Sequence, residues 1–322
     1  MVTEKFMFSG SDGRSIPALV YLPDDSPKLI VQITHGMTEH IARYEQLACT
    51  LTALGAAVAG FDLRGHGVCG TNESIASLGE NGWEHTLKDM NLFYEELDRR
   101  FEDLPHFMLG FSLGSFLLRE YLERHPSQTA GVILLGTGHQ NAFVLKLLRT
   151  LVKKQMAQCG IDGTTPLVHR LSFETYNSSF APNRTAMDWL CSDEAMLDEY
   201  IADPLCRSDI SAGLFYDLLG GMLRTGRPTA CSAWRRDMPV LLLSGQNDPV
   251  GSFGKGVSQV ESAMRACGMT NVRIRLFPGA RHDLLHEEKS GHAHAVRTLI
   301  GEWLLENAHH YESLRRIAAQ ES

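Results

Sequence analysis

The apolar residues of this chain gather into short unbroken runs separated by polar turn residues. The run KLIVQITH, Lys28 to His35, follows Pro27 and is β-rich, the pattern of a strand covered on both faces of a parallel sheet. Runs of the same kind recur at Ala56 to Phe61, His106 to Phe111, Gly131 to Leu135, Pro239 to Ser244 and Val272 to Phe277. Most are separated by stretches with helical periodicity, such as Tyr44 to Leu54, Glu84 to Phe101 and Leu113 to His125. Strands that alternate with helices form right-handed βαβ crossovers, so the pattern predicts an open, mostly parallel, doubly wound sheet. Two earlier runs, Lys5 to Ser9 and Ser15 to Leu22, flank the turn-forming Gly10-Ser11-Asp12-Gly13 and predict an antiparallel hairpin at one sheet edge.

The alternation breaks once, between about Thr137 and Arg236, where helical segments follow one another with no convincing core strand. This divides the chain into a core, residues 1–136 and 237–322, and a helical cap, 137–236, inserted after the sixth strand. The first cap segment, Phe143 to Met156, sets Phe143, Val144, Leu147, Leu148, Leu151 and Val152 on one face, with Lys146, Arg149, Lys153 and Lys154 opposite. The simplest expectation is a helix lying apolar side down on the core. The alternative is peripheral docking on an anionic lipid surface, which a basic amphipathic helix also suits.

Composition narrows the function classes. The 322 residues are 43% apolar and 21% charged, as expected of an ordinary soluble globular chain. Thirty Lys and Arg against thirty-eight Asp and Glu leave a formal charge of −8, the wrong sign for holding phosphate backbones, so nucleic acid is not an expected partner. No run approaches the roughly 18 apolar residues of a spanning helix, and Met1-Val2-Thr3-Glu4-Lys5-Phe6 lacks a signal-peptide layout. The expectation is an intracellular, cytoplasmic protein. Seven cysteines, none spaced as CxxC, indicate neither a disulfide framework nor a cysteine zinc site and read as small buried hydrophobes.

Chemistry enters at Gly110-Phe111-Ser112-Leu113-Gly114, a G-x-S-x-G motif between the strand HFMLGF and the helix LGSFLLREYLERH. A serine on so sharp a strand-to-helix turn is presented at the carboxyl edge of the sheet, and the flanking glycines let strand and helix approach without a Cβ clash. A hydroxyl needs a base, and the base needs an orienting carboxylate, which follow such a serine in the order Asp or Glu, then His. Asp248 stands after the strand PVLLLSGQN, and His282 follows the last strand in Pro278-Gly279-Ala280-Arg281-His282-Asp283. Asp283 is the competing carboxylate, but adjacent residues rarely orient each other's side chains, so Asp248 is preferred. Two N–H donors for the oxyanion are expected from Leu113 and from Met37, in the loop His35-Gly36-Met37-Thr38-Glu39-His40. His35 reads as a buried brace of that loop and not as a second base.

These pieces resemble the monoacylglycerol lipase and lysophospholipase branch, of serine aminopeptidase type, of the α/β-hydrolase superfamily. The resemblance rests on HGMTEHIARY (His35 to Tyr44), GFDLRGHG (Gly60 to Gly67), GFSLG (Gly110 to Gly114), SGQNDPV (Ser244 to Val250) and GARHDLLHE (Gly279 to Glu287). The block YNSSFAPNRTAMDWLCSD, Tyr176 to Asp193, also looks like a cap segment of bacterial members. The resemblance implies the α/β-hydrolase fold and a Ser112, Asp248, His282 triad with Met37 and Leu113 at the oxyanion hole. It also implies that Glu39 and Arg43 line the pocket for the alcohol half of the ester, although the two could equally form a structural ion pair. Asp62 and Arg64 read as loop architecture. There are departures: Phe111 stands where many relatives have histidine, and Ser115 where they have a second glycine. Both positions border the acyl pocket and bear on substrate preference.

The sequence is therefore read as a serine hydrolase of small-molecule or lipid carboxylic esters that needs no metal and no organic cofactor. The histidines at 282, 286, 292 and 294 form no compact ligand set such as HExxH. Two rival readings stay open. One is an aminopeptidase or amidase on the same triad, its substrate ammonium held by Glu174, Asp188, Asp193 and Glu194; the other is a non-catalytic binding protein.

Overall fold

The computed structural model describes residues 1–72, 74–126 and 129–321. Eight strands form one sheet: β1 (Val2–Ser9), β2 (Ser15–Leu22), β3 (Leu29–Thr34), β4 (Ala56–Phe61), β6 (His106–Phe111), β7 (Gly131–Leu135), β9 (Val240–Gly245) and β10 (Val272–Phe277). Their spatial order is β1-β2-β4-β3-β6-β7-β9-β10. Strands β1 and β2 pair antiparallel, with Ser9 opposite Ser15, and β2 runs antiparallel to β4; every other pairing in this sheet is parallel. Each strand that the hydrophobic pattern predicted is present, the first beginning at Val2 and not at Lys5.

The central strands are buried along their whole length because helices cover both faces, which is why their sequences are continuous apolar runs and do not alternate. On one face α2 (Gly82–Arg100) and α3 (Leu113–Arg124) bury Phe93, Leu117 and Tyr121. On the other, α1 (Glu45–Ala53) and α10 (His292–Glu321) bury Leu47, Leu51, Ile300 and Trp303, whose ring meets Phe107 edge-on at 5.8 Å. Each such side chain contributes on the order of 1.5–3 kcal/mol of transfer free energy. Because β3 lies between β4 and β6, the winding reverses there, and the loops after β3 and β6 open a crevice at the carboxyl ends of the strands.

Between β7 and β9 the chain forms α4 (Ala142–Cys159), the short α5 (Pro166–His169) and α6 (Thr175–Asn177), then α7 (Glu194–Ala202) and α8 (Ala212–Thr225). Helix α4 starts where the Asn141 side chain accepts the N–H groups of Phe143 and Val144 and stops at Gly160, at φ 81°. A pair of two-residue strands, β5 (Ile75–Ala76) and β8 (Asp209–Ile210), ties this segment to the chain that follows β4. Its buried Val152, Phe173, Trp189 and Leu219 join the apolar cluster on the α2–α3 face. Helix α9 (Lys255–Ala266) then connects β9 to β10.

Two expectations are corrected. Helix α4 is not seated on its whole apolar arc: Leu145, Leu148 and Val152 turn inward, whereas Phe143 (77%), Leu147 (62%) and Val144 (49%) are exposed. The helix leans its flank on α8, so only the i, i+3, i+7 stripe finds a partner. Nor are all the cysteines buried. All seven are free thiols, Cys191 and Cys231 are buried, and Cys49 is exposed on α1, whose inward stripe is Leu47, Ala48 and Leu51.

Candidate active site

Ser112 caps α3 directly after β6 with φ 50° and ψ −115°, a conformation that a residue bearing Cβ adopts only where its surroundings enforce it. Its N–H donates to the Leu135 carbonyl (3.0 Å), which holds the residue to the end of β7. The close packing explains the two flanking glycines. A Cβ on Gly110 would lie 2.6 Å from the Gly114 carbonyl oxygen, and one on Gly114 would lie 2.0 Å from that of Thr34 at the end of β3.

Asp248 and His282, 34 residues apart in sequence, come together beyond the ends of β9 and β10. Nδ1 of His282 is 2.9 Å from Oδ1 of Asp248, and both side chains are almost fully buried. The contact is short but too far off-line for a hydrogen bond, and His282 Nε2 bonds to nothing among the described residues. Ser112 Oγ and His282 are likewise not hydrogen-bonded in this arrangement, although both line one cavity. Asp248 is anchored by the Val250 N–H (2.8 Å) and the Ser244 hydroxyl (3.3 Å). Asp283 faces elsewhere: its carboxylate meets His286 (2.8 Å) and Arg43 (3.1 Å). Burial alone would raise its pKa, but His286 and Arg43 outweigh burial and hold it below the usual carboxylate range.

In the loop after β3, His35 accepts the Leu63 N–H at Nε2 (2.9 Å), which places its proton on Nδ1, 2.7 Å from the Gly36 carbonyl. Burial pushes its pKa down to about 3, the state of a neutral brace. Thr38, at φ 63°, donates to the Met37 carbonyl and lies 2.7 Å from the Tyr200 hydroxyl. The N–H groups of Met37 and Leu113 have no acceptor among the described residues. Glu39 accepts from the Gly36 N–H and the Tyr44 hydroxyl and pairs with Arg43 at 3.2 Å. Glu39 reaches the cavity wall; Arg43 is engaged by Glu39 and Asp283 and is not part of that wall. Asp62 accepts the Ile41 and Val68 N–H groups, and Arg64 binds Asp12 and Asp89, so both act in loop architecture.

The cavity beside Ser112 has a volume of about 20 Å³, room for a single water. Phe111 from the core lines it, together with Phe173, Met187, Trp189, Leu190 and Tyr200 from the segment between β7 and β9. His282 sits between two rings, Phe111 at 4.9 Å and Trp189 at 5.2 Å between centroids. None of Glu174, Asp188, Asp193 and Glu194 reaches the cavity: Asp188 caps the Arg184–Thr185 turn, Asp193 caps α7, and the two glutamates are exposed. Sequence reading missed the covering rings and also Glu287. That buried carboxylate accepts the N–H groups of Ser192 (3.0 Å) and Arg281 (2.9 Å), joining the covering segment to the His282 loop. The only sequence signal was the short apolar run Trp189-Leu190-Cys191 inside an otherwise polar block.

A parallel sheet with an antiparallel start, wound both ways around a strained serine at a strand-to-helix elbow, defines an α/β-hydrolase. The family model described as "Serine aminopeptidase, S33" (Hydrolase_4) matches residues 25–289, and the chain belongs to that family. It is 26% identical over 296 residues to the monoacylglycerol lipase of Mycolicibacterium smegmatis, a span covering 87% of this chain and 90% of that protein. It is also 24% identical over 299 residues to the monoglyceride lipase of Mus musculus, covering 91% and 88% respectively. Among solved structures, a highly thermostable carboxyl esterase from Bacillus coagulans in complex with glycerol has the same fold. Its TM-score is 0.87 at 24% identity, covering 96% of this chain and 99% of that one. Among the described residues no helix is long and apolar enough to cross a membrane.

Proposed function

We propose that this α/β-hydrolase is a serine esterase whose nucleophile is Ser112, with His282 as general base and Asp248 as its orienting carboxylate. The protein is a carboxylic ester hydrolase. The observation that carries the reading is the strained Ser112 in one cavity with a His282 whose Nε2 is unengaged and whose Nδ1 is 2.9 Å from a buried carboxylate. In the reaction His282 takes the Ser112 proton as Oγ attacks the ester carbonyl. The Met37 and Leu113 N–H groups hold the resulting oxyanion, and His282 then protonates the departing alcohol. Water repeats the sequence on the acyl-enzyme. A small rotation of the imidazole brings Nδ1–H into line with Asp248 and Nε2 toward Ser112, the tightening expected on substrate binding. No step calls on a metal or cofactor.

The substrate class that fits is a long-chain acyl ester of glycerol or a related lipid ester such as a lysophospholipid. The cavity walls are aromatic and aliphatic, and relatives along most of the chain are monoacylglycerol lipases. A cavity of about 20 Å³ holds no acyl chain, so residues 137–236 act as a lid over the core of residues 1–136 and 237–322 and move to admit one. Phe143, Val144 and Leu147, exposed beside Lys146, Lys153 and Lys154, fit that lid for resting on an anionic lipid surface. An aminopeptidase finds less support, since Glu39, the one acidic side chain at the cavity, is already paired with Arg43. Parallel turnover of monoacylglycerol, p-nitrophenyl esters and aminoacyl-anilides tests the reading. Esters are expected to be hydrolysed and Ser112→Ala to lower kcat by about 10⁵ or more. Turnover confined to the anilides, or Ser112→Ala retaining a tenth of the activity, overturns it.

A further inference from the structure

One cluster of metal-ligating side chains lies outside the catalytic constellation. His40 closes the loop that carries Met37, while Asp203 and Cys206 belong to the turn that follows α7. Nε2 of His40 is 2.8 Å from Oδ2 of Asp203, and one ligand atom from each of His40, Asp203 and Cys206 lies within 4.8 Å of the other two. Ligands around a tetrahedral Zn²⁺, at bond lengths of about 2.0–2.3 Å, stand roughly 3.5 Å apart, so small side-chain rotations suffice to enclose an ion.

The backbone that carries these groups is already fixed. The Asp203 carbonyl accepts the Cys206 N–H (3.0 Å), and its Oδ1 accepts the Leu205 N–H (2.8 Å). Arg207 pins the turn to the His35–His40 loop by donating its N–H to the Thr38 carbonyl (2.9 Å), and to the next loop by donating Nη2 to that of Gly67 (2.8 Å). The Cys206 thiol makes no hydrogen bond among the described residues, and around it the carboxylates of Glu39, Asp203 and Asp283 outnumber the single Arg43 guanidinium. His40 is buried but Asp203 is 27% exposed, which leaves a path from solvent.

We infer that His40, Asp203 and Cys206 form a binding site for one Zn²⁺ ion, with the fourth position open to water. Binding replaces the His40–Asp203 contact by Zn–N and Zn–O bonds, the His40 ring proton moving from Nε2 to Nδ1 by exchange with solvent, and converts the thiol to a Zn-bound thiolate, its proton passing to solvent. The ion joins the Met37 loop directly to the segment between β7 and β9. The site is independent of the esterase reading, because none of its ligands belongs to the proposed catalytic set.

The test uses the purified full-length protein freed of metal. Titration with Co²⁺ is expected to give one ion per chain with a thiolate-to-cobalt charge-transfer band, Zn²⁺ to abolish that band, and Zn²⁺ to raise Tm. Cys206→Ser is expected to lose the band and to weaken Zn²⁺ binding by about 100-fold while keeping the native circular dichroism, and Asp203→Asn to weaken binding by at least about 10-fold. Absence of stoichiometric binding overturns the site, as does a charge-transfer band that persists in Cys206→Ser. Ser112→Ala is expected to bind the ion as the parent does, which keeps a failure of this site distinct from a failure of the esterase reading.

Discussion

Gly114→Ala tests the geometry around Ser112 at the second residue of α3. A methyl at that position would be 2.0 Å from the Thr34 carbonyl oxygen and 2.7 Å from that of His35, and the first pair must part to at least 3.4 Å to reach ordinary contact. Both oxygens are backbone at the end of a buried central strand, so no side chain can swing aside. The relief has to come from moving α3 away from β3. Forced overpacking of this kind costs about 1–3 kcal/mol, and a displacement of about 1 Å at a reacting group costs on the order of 10²-fold in rate. Gly220→Ala in α8 is the control, since its methyl would meet only the flexible ends of Arg224 and Arg149, and helix propensity favours alanine by about 1 kcal/mol. Steady-state hydrolysis of a soluble ester, read with thermal unfolding, is the assay. Gly114→Ala is expected to lower both Tm and kcat, and Gly220→Ala neither. A Gly114→Ala protein with parental Tm and kcat would refute the close-approach argument.

Other outcomes follow from the same structure. Burial holds the pKa values of His35 and His66, whose rings lie 5.4 Å apart, at about 3. Between pH 3 and 6.5 the unfolded chain takes up protons that these two rings in the folded state do not, so stability falls with acidity by about 1.4 kcal/mol per pH unit for each ring. His66→Gln should halve that part of the slope in denaturant midpoints measured from pH 6.5 to 4.5, and an unchanged slope would count against it. Glu287→Ala strands the Ser192 and Arg281 N–H groups and is expected to cost on the order of 2 kcal/mol and to lower kcat by loosening the His282 loop, with Glu287→Gln milder. Equal Tm and kcat for Glu287→Ala and the parent would dismiss that role. Leu147→Glu, at a position 62% exposed, should weaken sedimentation with anionic vesicles and leave hydrolysis of a soluble ester unchanged; undiminished vesicle binding would remove α4 from the contact.

The strands and the elbow were legible because buried parallel strands announce themselves as unbroken apolar runs, and because a serine between glycines at a strand-helix junction has a steric reason to be there. Ser112, Asp248 and His282 stood out as candidates through their places after β6, β9 and β10, and one sheet edge gathers those ends. Partners remote in sequence were not legible. Trp189 over His282, Tyr200 against Thr38, Glu287 against Ser192, and His40 beside Asp203 are pairings across roughly 90 to 160 residues that no local pattern encodes. The seating of α4 was misread for a related reason. Periodicity gives the width of an apolar arc, but the neighbouring helix decides which part of it is covered, and α8 takes the Leu145, Leu148, Val152 stripe.

The nucleophile itself is tested most directly by reaction with a fluorophosphonate, followed by mass mapping of the labelled peptides. One adduct per chain, on the peptide that contains Ser112, with ester turnover falling in step with labelling, is the expected result. A fully active protein that takes no label, or takes it only on another residue, would contradict the assignment of Ser112.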